Sequence, residues 1–449
     1  MTSGRTIDIK SFIDERPISA YQWLLVALCF LVVTADGMDV AIMGFVAPSI
    51  IADWHISRPA FGLVMSAAPI GLVIGALTAG PASDRIGRKG VLIASVFLFG
   101  VFTIATAFTT SPTSMAILRV LTGIGLGAAM PNTTTLLSEY APQRKRALLI
   151  TVMFTGFNLG SALIGFVAGW LIPVHGWRSV LIFGGALPLA LIPLQIWLLP
   201  ESARLLAVRG ATQERIGKVL GRVCGARFNG DETFVSNEPP LPTKKPIGVL
   251  FSHGYGVLTA ALWITYFMGL LVIYLLTGWL PTLMKDAGLT VTAAANITAM
   301  FQIGGTIGAI IVGWIMDRVR PAPVISAAYL GGAVCVLGLA WIGALSSSLA
   351  VLVFAAGFCM SGAQTGLNAF APSRYPTVAR ATGVSWMLGM GRFGSIFGSA
   401  FGGALLGLGW QFGAILAMLA VPATLAAIAI LVAQRGRAEE PAPQTTAAH

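Results

Sequence analysis

The chain predicts an all-α membrane protein, with twelve transmembrane helices in two pseudo-symmetric six-helix bundles. Three observations carry this expectation. Of 449 residues, 56% are hydrophobic and 10% charged, whereas a soluble domain has about 25% charged residues. Mean hydropathy is +0.83. Apolar runs of roughly the 20 residues that cross hydrocarbon recur twelve times, and two motifs of the first half return in the second.

In order, the runs cover about 21–50, 58–80, 90–109, 114–138, 147–171, 177–199, 255–282, 293–316, 322–343, 347–370, 382–408 and 411–433. Residues 1–20 are polar and mixed in charge, and the first run is too long for the h-region of a cleavable signal. It is therefore expected to be a true span behind a short cytoplasmic segment. The first six runs define a bundle over 21–199. A polar stretch follows over 200–250, with Pro239-Pro240, Pro242 and Lys244-Lys245, and reads as a linker. Within it Ile216, Val219, Leu220 and Val223 recur at helical spacing beside Arg215, Lys218 and Arg222, which predicts a short amphipathic helix at the membrane surface. The second bundle is expected over 251–433, with a cytoplasmic tail over 434–449.

The formal net charge of +11 is not gathered on one soluble face, so no nucleic-acid partner is expected. Its distribution sets orientation instead. With the N-terminus in the cytoplasm, 23 of the 28 Lys and Arg fall in cytoplasmic segments. Only Arg58, Arg178 and Lys285 fall outside, and Arg119 and Arg392 lie within spans. The positive-inside rule then places both termini in the cytoplasm. Cys29, Cys224, Cys335 and Cys359 sit in or beside apolar runs without paired spacing, so neither a disulfide framework nor a metal site is expected.

The first span holds the most costly residues. Asp36 and Asp39 lie three apart, with Gly37 between them, in an otherwise apolar run. One charge at the centre of a span costs about 2.5–3.5 kcal/mol on insertion scales, so a pair is expected to face a polar cavity. Three helical steps set the side chains about 60° apart, on one face. Two carboxylates in a poorly hydrated site cannot both ionise cheaply, which makes the pair a candidate proton-coupling site titrating as a unit. The competing reading is hydrogen bonding that only fixes helix packing. His55, His175 and His253 fall at span ends or in loops and His449 is the last residue, so none is deep enough to relay a proton.

The repeat is local and specific. Gly80-Pro-Ala-Ser-Asp84-Arg85-Ile-Gly87-Arg88-Lys89 follows the second span, and Gly313-Trp-Ile-Met-Asp317-Arg318-Val-Arg320 follows the eighth, 233 residues on. Ser138-Glu139-Tyr140, with Pro142, Arg144 and Arg146, follows the fourth; Ser373-Arg374-Tyr375, with Pro376 and Arg380, follows the tenth, 235 residues on. A parallel six-plus-six repeat is one way secondary transporters are built, with the substrate site at the midplane between the halves.

With these residues in view, the chain resembles the major facilitator superfamily through its loop motif and twelve spans. Asp36-Gly37-Met38-Asp39 resembles the hallmark of the aromatic acid:proton symporter branch. Ser11-Phe12-Ile13, Tyr21-Gln22-Trp23, Trp279-Leu-Pro-Thr-Leu-Met284 and Gly383-Val-Ser-Trp-Met-Leu-Gly-Met-Gly-Arg392-Phe-Gly394 are similar to the branch's bacterial carriers of 4-hydroxybenzoate and protocatechuate. The second loop copy lacks the Gly-Arg-Lys end. The resemblance implies a symporter of the bacterial inner membrane that imports a small aromatic acid by alternating access. It implies protons as the coupling ion, no other cofactor, no enzyme activity, the lipid bilayer as surroundings and a monomeric state.

On that reading the remaining polar groups take roles. Arg392 lies about ten residues into its span, hence about 15 Å deep, and its guanidinium fork matches a carboxylate. Arg119 lies nearer the periplasmic side and is expected to serve coupling, paired with an aspartate of the first span. The reverse assignment, or a structural ion pair, is the alternative. Phe154, Phe157, Asn158, Tyr266, Tyr274, Gln302, Gln364, Asn368 and Trp386 are candidates to wall the ring or bind its hydroxyl, against the plainer reading of helix packing. Gly80, Asp84, Arg85, Gly87, Arg88, Asp317 and Arg318 resemble a conformational latch, in which Asp84 meets the positive N-terminus of a helix such as the eleventh. Glu139, Arg144, Arg374 and Arg380 are its expected companions. Gly156/Gly160, Gly165/Gly169, Gly304/Gly308 and Gly394/Gly398/Gly402 give smooth faces where helices approach closely.

Competing functions are weaker. ATP-driven transport lacks a Gly-x-x-x-x-Gly-Lys-[Ser/Thr] loop. A proton-coupled exporter of hydrophobic compounds is the runner-up in the same fold, but Gly156-Phe-Asn-Leu-Gly160-Ser-Ala-Leu-Ile-Gly165 lacks the Gly-Pro pair typical of the superfamily's antiporters. A membrane enzyme acting on lipids lacks a metal cluster or nucleophile–base set. A sensor that binds aromatic acids without moving them is the third alternative.

Overall fold

A computed structural model describes residues 6–228, 232–235, 250–251, 255–343, 346–375 and 377–435, apart from the side chains of Asp84, Ala147, 377–381 and Arg435. The proline- and lysine-rich part of the linker, the C-terminal tail and the side chains of Asp84 and Arg380 lie outside the described residues.

The protein is helical almost throughout. β1 (Thr6–Asp8) and α1 (Ile9–Asp14) precede α2 (Ala20–Trp54), α3 (Arg58–Ile86), α4 (Arg88–Thr106), α5 (Pro112–Tyr140), α6 (Gln143–His175) and α7 (Trp177–Leu198). Two short helices, α8 (Ala203–Val208) and α9 (Gln213–Cys224), lead to β2 (Thr233–Val235). Then come α10 (Tyr255–Asp286), α11 (Val291–Met316), α12 (Pro321–Ile342), α13 (Leu349–Arg374), α14 (Thr377–Gly407) and α15 (Phe412–Arg435). Among the described residues, 11 helices are long and apolar enough to cross a membrane. α14 takes the place of the predicted eleventh span, its hydropathy diluted by glycine and serine.

Helix starts follow their local chemistry. Ser19 caps α2 in a reciprocal box with Gln22, and Ser57 and Ser111 cap α3 and α5 ahead of a proline in the first turn. Each such cap is worth about 1 kcal/mol. Gly87, at φ 111°, separates α3 from α4. A side chain there would be strained by that φ, and its Cβ would stand 2.3 Å from a Glu201 oxygen.

The chain divides into two compact units. The first comprises 1–240, 275–303 and 399–412, the second 241–274, 304–398 and 413–449. In the first, α2 meets α6 where Cβ atoms at Gly37 and Gly160 would each lie 2.0 Å from a facing carbonyl, and α3 meets α5 in the same way at Gly71 and Gly123. In the second, α11 meets α13 at Gly304 and Gly308, and α10 meets α14 at Gly394 and Gly398. Pairings of first with fifth and second with fourth span thus recur as seventh with eleventh and eighth with tenth. Small residues let backbones approach, which is the main packing device where lipid removes the hydrophobic drive between helices.

The predicted amphipathic helix forms as α9. Its apolar residues Ile216, Leu220 and Val223 are fully buried, in one cluster with Ile9, Ile13 and Phe234. β1 pairs with β2 in parallel, Ile7 opposite Phe234, and Phe228 lies edge-on to Phe234 at 4.9 Å. The face expected at the membrane surface is therefore covered by the chain's own N-terminal segment and linker strand.

Candidate functional site

α2 carries Asp36 and Asp39 into the first unit, where they are 2% and 0% exposed. Arg119, on the second turn of α5, is 1% exposed and grips Asp39 with both terminal nitrogens, Nη2 to Oδ2 at 2.7 Å and Nη1 to Oδ1 at 3.2 Å. Nη2 also donates to the Asp39 carbonyl at 3.2 Å, and the Thr103 hydroxyl of α4 donates to Oδ1. Three helices thus close over one carboxylate. Fork-to-fork geometry is the strong form of a charge-assisted hydrogen bond. Losing one partner of such a buried pair costs about 3–5 kcal/mol. The Ser161 hydroxyl of α6 donates to the Gly37 carbonyl at 2.7 Å, which ties α2 to α6 between the two acids.

A second polar group lies in the second unit. The Tyr266 hydroxyl of α10 sits beside Gln364 and Asn368 of α13, with Arg392 of α14 near enough to act on it electrostatically. Tyr266 is seated by Gly391, where a Cβ would fall 2.0 Å from the ring. Tyr266 and Gln364 are buried, Arg392 is half-buried and Asn368 is exposed. Four of the expected substrate residues therefore converge. Tyr329 of α12 joins them, its hydroxyl donating to Gln364 Oε1 at 2.7 Å. Its sequence signal was slight: one tyrosine in an apolar span.

The other candidates lie elsewhere. Gln302 is buried in the first unit and donates to Thr277 at 3.1 Å. Phe157 and Asn158 are half-buried on α6, and Phe154 is exposed there. Tyr274 is half-buried on α10. Trp386 stacks on Trp263 at 5.7 Å and 16°.

At the predicted cytoplasmic ends, Arg88 pairs with Glu139 and donates to Ser202 Oγ at 3.1 Å. The carboxylate on a helix N-terminus is one the sequence reading missed. Glu201 accepts from the backbone N–H groups of Arg88 at 2.9 Å, Lys89 at 3.4 Å and Ser202 at 2.9 Å, capping α4, where the helix dipole favours a negative charge. Tyr140 donates to the Glu201 carbonyl and accepts from Ala203 N–H at 2.9 Å. Pro200-Glu201-Ser202 directly after the sixth span was the available signal. Arg144 reaches the Arg16 carbonyl at 3.1 Å, and Arg374 the carbonyls of Ala433 and Gln434 at 3.4 and 3.3 Å. Arg318 lies over the Trp314 ring at 3.8 Å. Arg85 and Asp317 are exposed, and Gly80 has open space where a side chain would begin. Glu201→Gln is expected to weaken the α4 cap by about 1.5–3 kcal/mol, the worth of a hydrogen bond to a charged group. A lower thermal midpoint in detergent measures it, and an unchanged midpoint contradicts it.

A duplicated bundle of apolar helices, with a sealed ion pair in one unit and a polar cluster around a cation in the other, has the organisation of a multi-pass membrane transporter. The chain belongs to the Major Facilitator Superfamily, whose family model matches residues 29–382 and 262–448. It is 60% identical over 425 residues to a gallate transporter of Pseudomonas putida, covering 95% of this chain and 94% of that one. It is 51% identical to the 4-hydroxybenzoate transporter PcaK of Pseudomonas aeruginosa, covering 95% of each. Among solved structures it shares the fold of the xylose transporter XylE from E. coli, with a TM-score of 0.71 at 18% identity over 91% of this chain and 95% of that chain.

Proposed function

We infer that this chain is a proton-coupled symporter that imports hydroxylated benzoates, of the range spanned by 4-hydroxybenzoate, protocatechuate and gallate. It works as a monomer by alternating access in the bacterial inner membrane, with both termini in the cytoplasm. The observation that carries the coupling is the Asp39–Arg119 pair. Both groups are sealed from solvent, so a proton on Asp39 would cancel its charge and leave the guanidinium buried without a counter-ion, an arrangement costly enough to demand a rearrangement. Proton arrival is thereby tied to helix movement. Asp36, 2% exposed on the same face of α2, is the second acid of this coupling site. The names of the relatives support an aromatic acid, and Arg392 supplies the cation for its carboxylate.

Uptake of radiolabelled 4-hydroxybenzoate, protocatechuate, gallate and benzoate into proteoliposomes, with and without an inward proton gradient, tests this reading. Accumulation that ignores the gradient sinks the coupling, and no uptake of any of the four sinks the substrate class. Arg392→Ala is expected to weaken binding of the carboxylates by about 10–100-fold, the loss of a hydrogen bond to a charged group. Neutral ring analogues should hardly change. Equal losses for acids and neutral analogues would show that Arg392 does not read the carboxylate.

A further inference from the structure

Of the three hydroxyls on α4, one is used differently from the others. The Ser95 hydroxyl donates to the Val91 carbonyl and the Thr106 hydroxyl to the Phe102 carbonyl, each at 2.7 Å. That is the ordinary bond of such a residue to the preceding turn of its own helix. Thr103, 0% exposed, turns away from its helix and donates to Asp39 Oδ1 on α2. Its support is firm. A Cβ at Gly185 of α7 would stand 2.6 Å from the Gly100 carbonyl, and one at Gly125 of α5 2.8 Å from the Ser95 carbonyl, so α4 lies backbone to backbone against both neighbours. The two side chains that grip the Asp39 carboxylate therefore differ in chemistry. Arg119 brings donors alone, since a guanidinium has no acceptor. A hydroxyl both donates and accepts, and it reverses by turning one C–O bond while its heavy atoms stay in place.

We propose that Thr103 is the positioning residue that holds Asp39 in both of its charge states, donating to the carboxylate and accepting from the carboxylic acid. The proposal rests on the proton-coupling reading above and deepens it. When a proton arrives on Oδ1, the Arg119 donors lose their charged acceptor, and the Thr103 oxygen takes up the new O–H. The acid keeps its place on α2 while the guanidinium is released. Once the proton leaves, the same hydroxyl donates again. Its hold is tighter on the ionised form, because a hydrogen bond to a charged group is stronger than one to a neutral group. The ionisable groups that face Asp39 are few: Arg119 on α5 and, three residues away on its own helix, Asp36. Cys29 lies further along α2, while α3, α4, α6 and α7 carry none between their end turns, nor do residues 275–284, 291–303 and 399–412.

The test is the pH profile of 4-hydroxybenzoate uptake into proteoliposomes for the wild type, Thr103→Val and Thr103→Ser, with substrate exchange at equal pH measured beside it. Valine keeps the shape without the hydroxyl, and serine keeps the hydroxyl. Thr103→Val is expected to move the pH of half-maximal proton-driven uptake upward by about one unit, a tenfold easier protonation once the donor to the carboxylate is gone. Thr103→Ser should keep the wild-type profile, and exchange should continue in both variants. A profile that stays put or moves downward in Thr103→Val overturns the proposal while leaving the coupling reading intact. Equal losses of uptake and exchange in the valine and serine variants would mean that the side chain only packs, and would overturn it as well. Should Thr103→Val not accumulate, Thr103→Ala carries the same expectation and decides the matter. Wild-type uptake that ignores the proton gradient removes both the proposal and the coupling reading beneath it.

Discussion

Asp39→Asn is expected to abolish proton-driven accumulation while exchange of internal for external substrate continues. Asparagine keeps the shape and can still accept from Arg119 and Thr103, but it cannot carry a proton between sides. The substitution also leaves the Arg119 guanidinium, 1% exposed, without its counter-charge, at a cost of up to about 3–5 kcal/mol. Lower yield and a lower thermal midpoint should accompany the transport defect. Adding Arg119→Gln removes the buried charge and should return much of the stability without restoring coupling. These two readouts separate a folding role from a coupling role. Acidification-driven uptake at the wild-type rate in Asp39→Asn would remove the residue from the proton path.

Gly44→Val is expected to halt transport without loss of folded protein, whereas Gly37→Val is expected to lower the amount of folded protein itself. Both glycines lie on α2, and a Cβ on either would strike a carbonyl: Phe157 O at 2.0 Å for Gly37 and Thr277 O at 2.3 Å for Gly44. The partners differ in kind. Phe157 belongs to α6, bound to α2 within the N-terminal helices, and overpacking there costs about 1–3 kcal/mol or more. Thr277 belongs to the end of α10 that lies in the first unit. That end is joined by the Arg58–Asp286 pair at 2.7 Å and by Phe61 edge-on to Trp279, and the start of α11 adds Thr292 donating to Gly169 O at 2.8 Å. These contacts sit at the predicted periplasmic ends of the helices, which the proposed alternating access would have to part and close. The same 1–3 kcal/mol set against a closed state shifts its population by about 5–150-fold. Uptake measured beside fluorescence-detected size exclusion distinguishes the two outcomes, and a Gly44→Val protein with normal uptake contradicts the assignment.

Much of this protein was determined by sequence alone. Span count, the duplication and the smooth glycine faces follow from hydropathy, spacing and residue size, which are one-dimensional properties of a helix crossing lipid. Asp36 and Asp39 stood out because lipid makes any charge conspicuous. Tertiary structure alone decided which groups meet. Arg119 was a candidate for either aspartate of the first span, and helix rotation and axial register gave it to Asp39, 80 residues away. The same factors set Tyr329 behind Gln364, Glu201 rather than another acid on the α4 N-terminus, and protein rather than lipid against α9. Each residue turns a helix by about 100°, so a rotation too small to alter any sequence pattern is enough to exchange one polar partner for another.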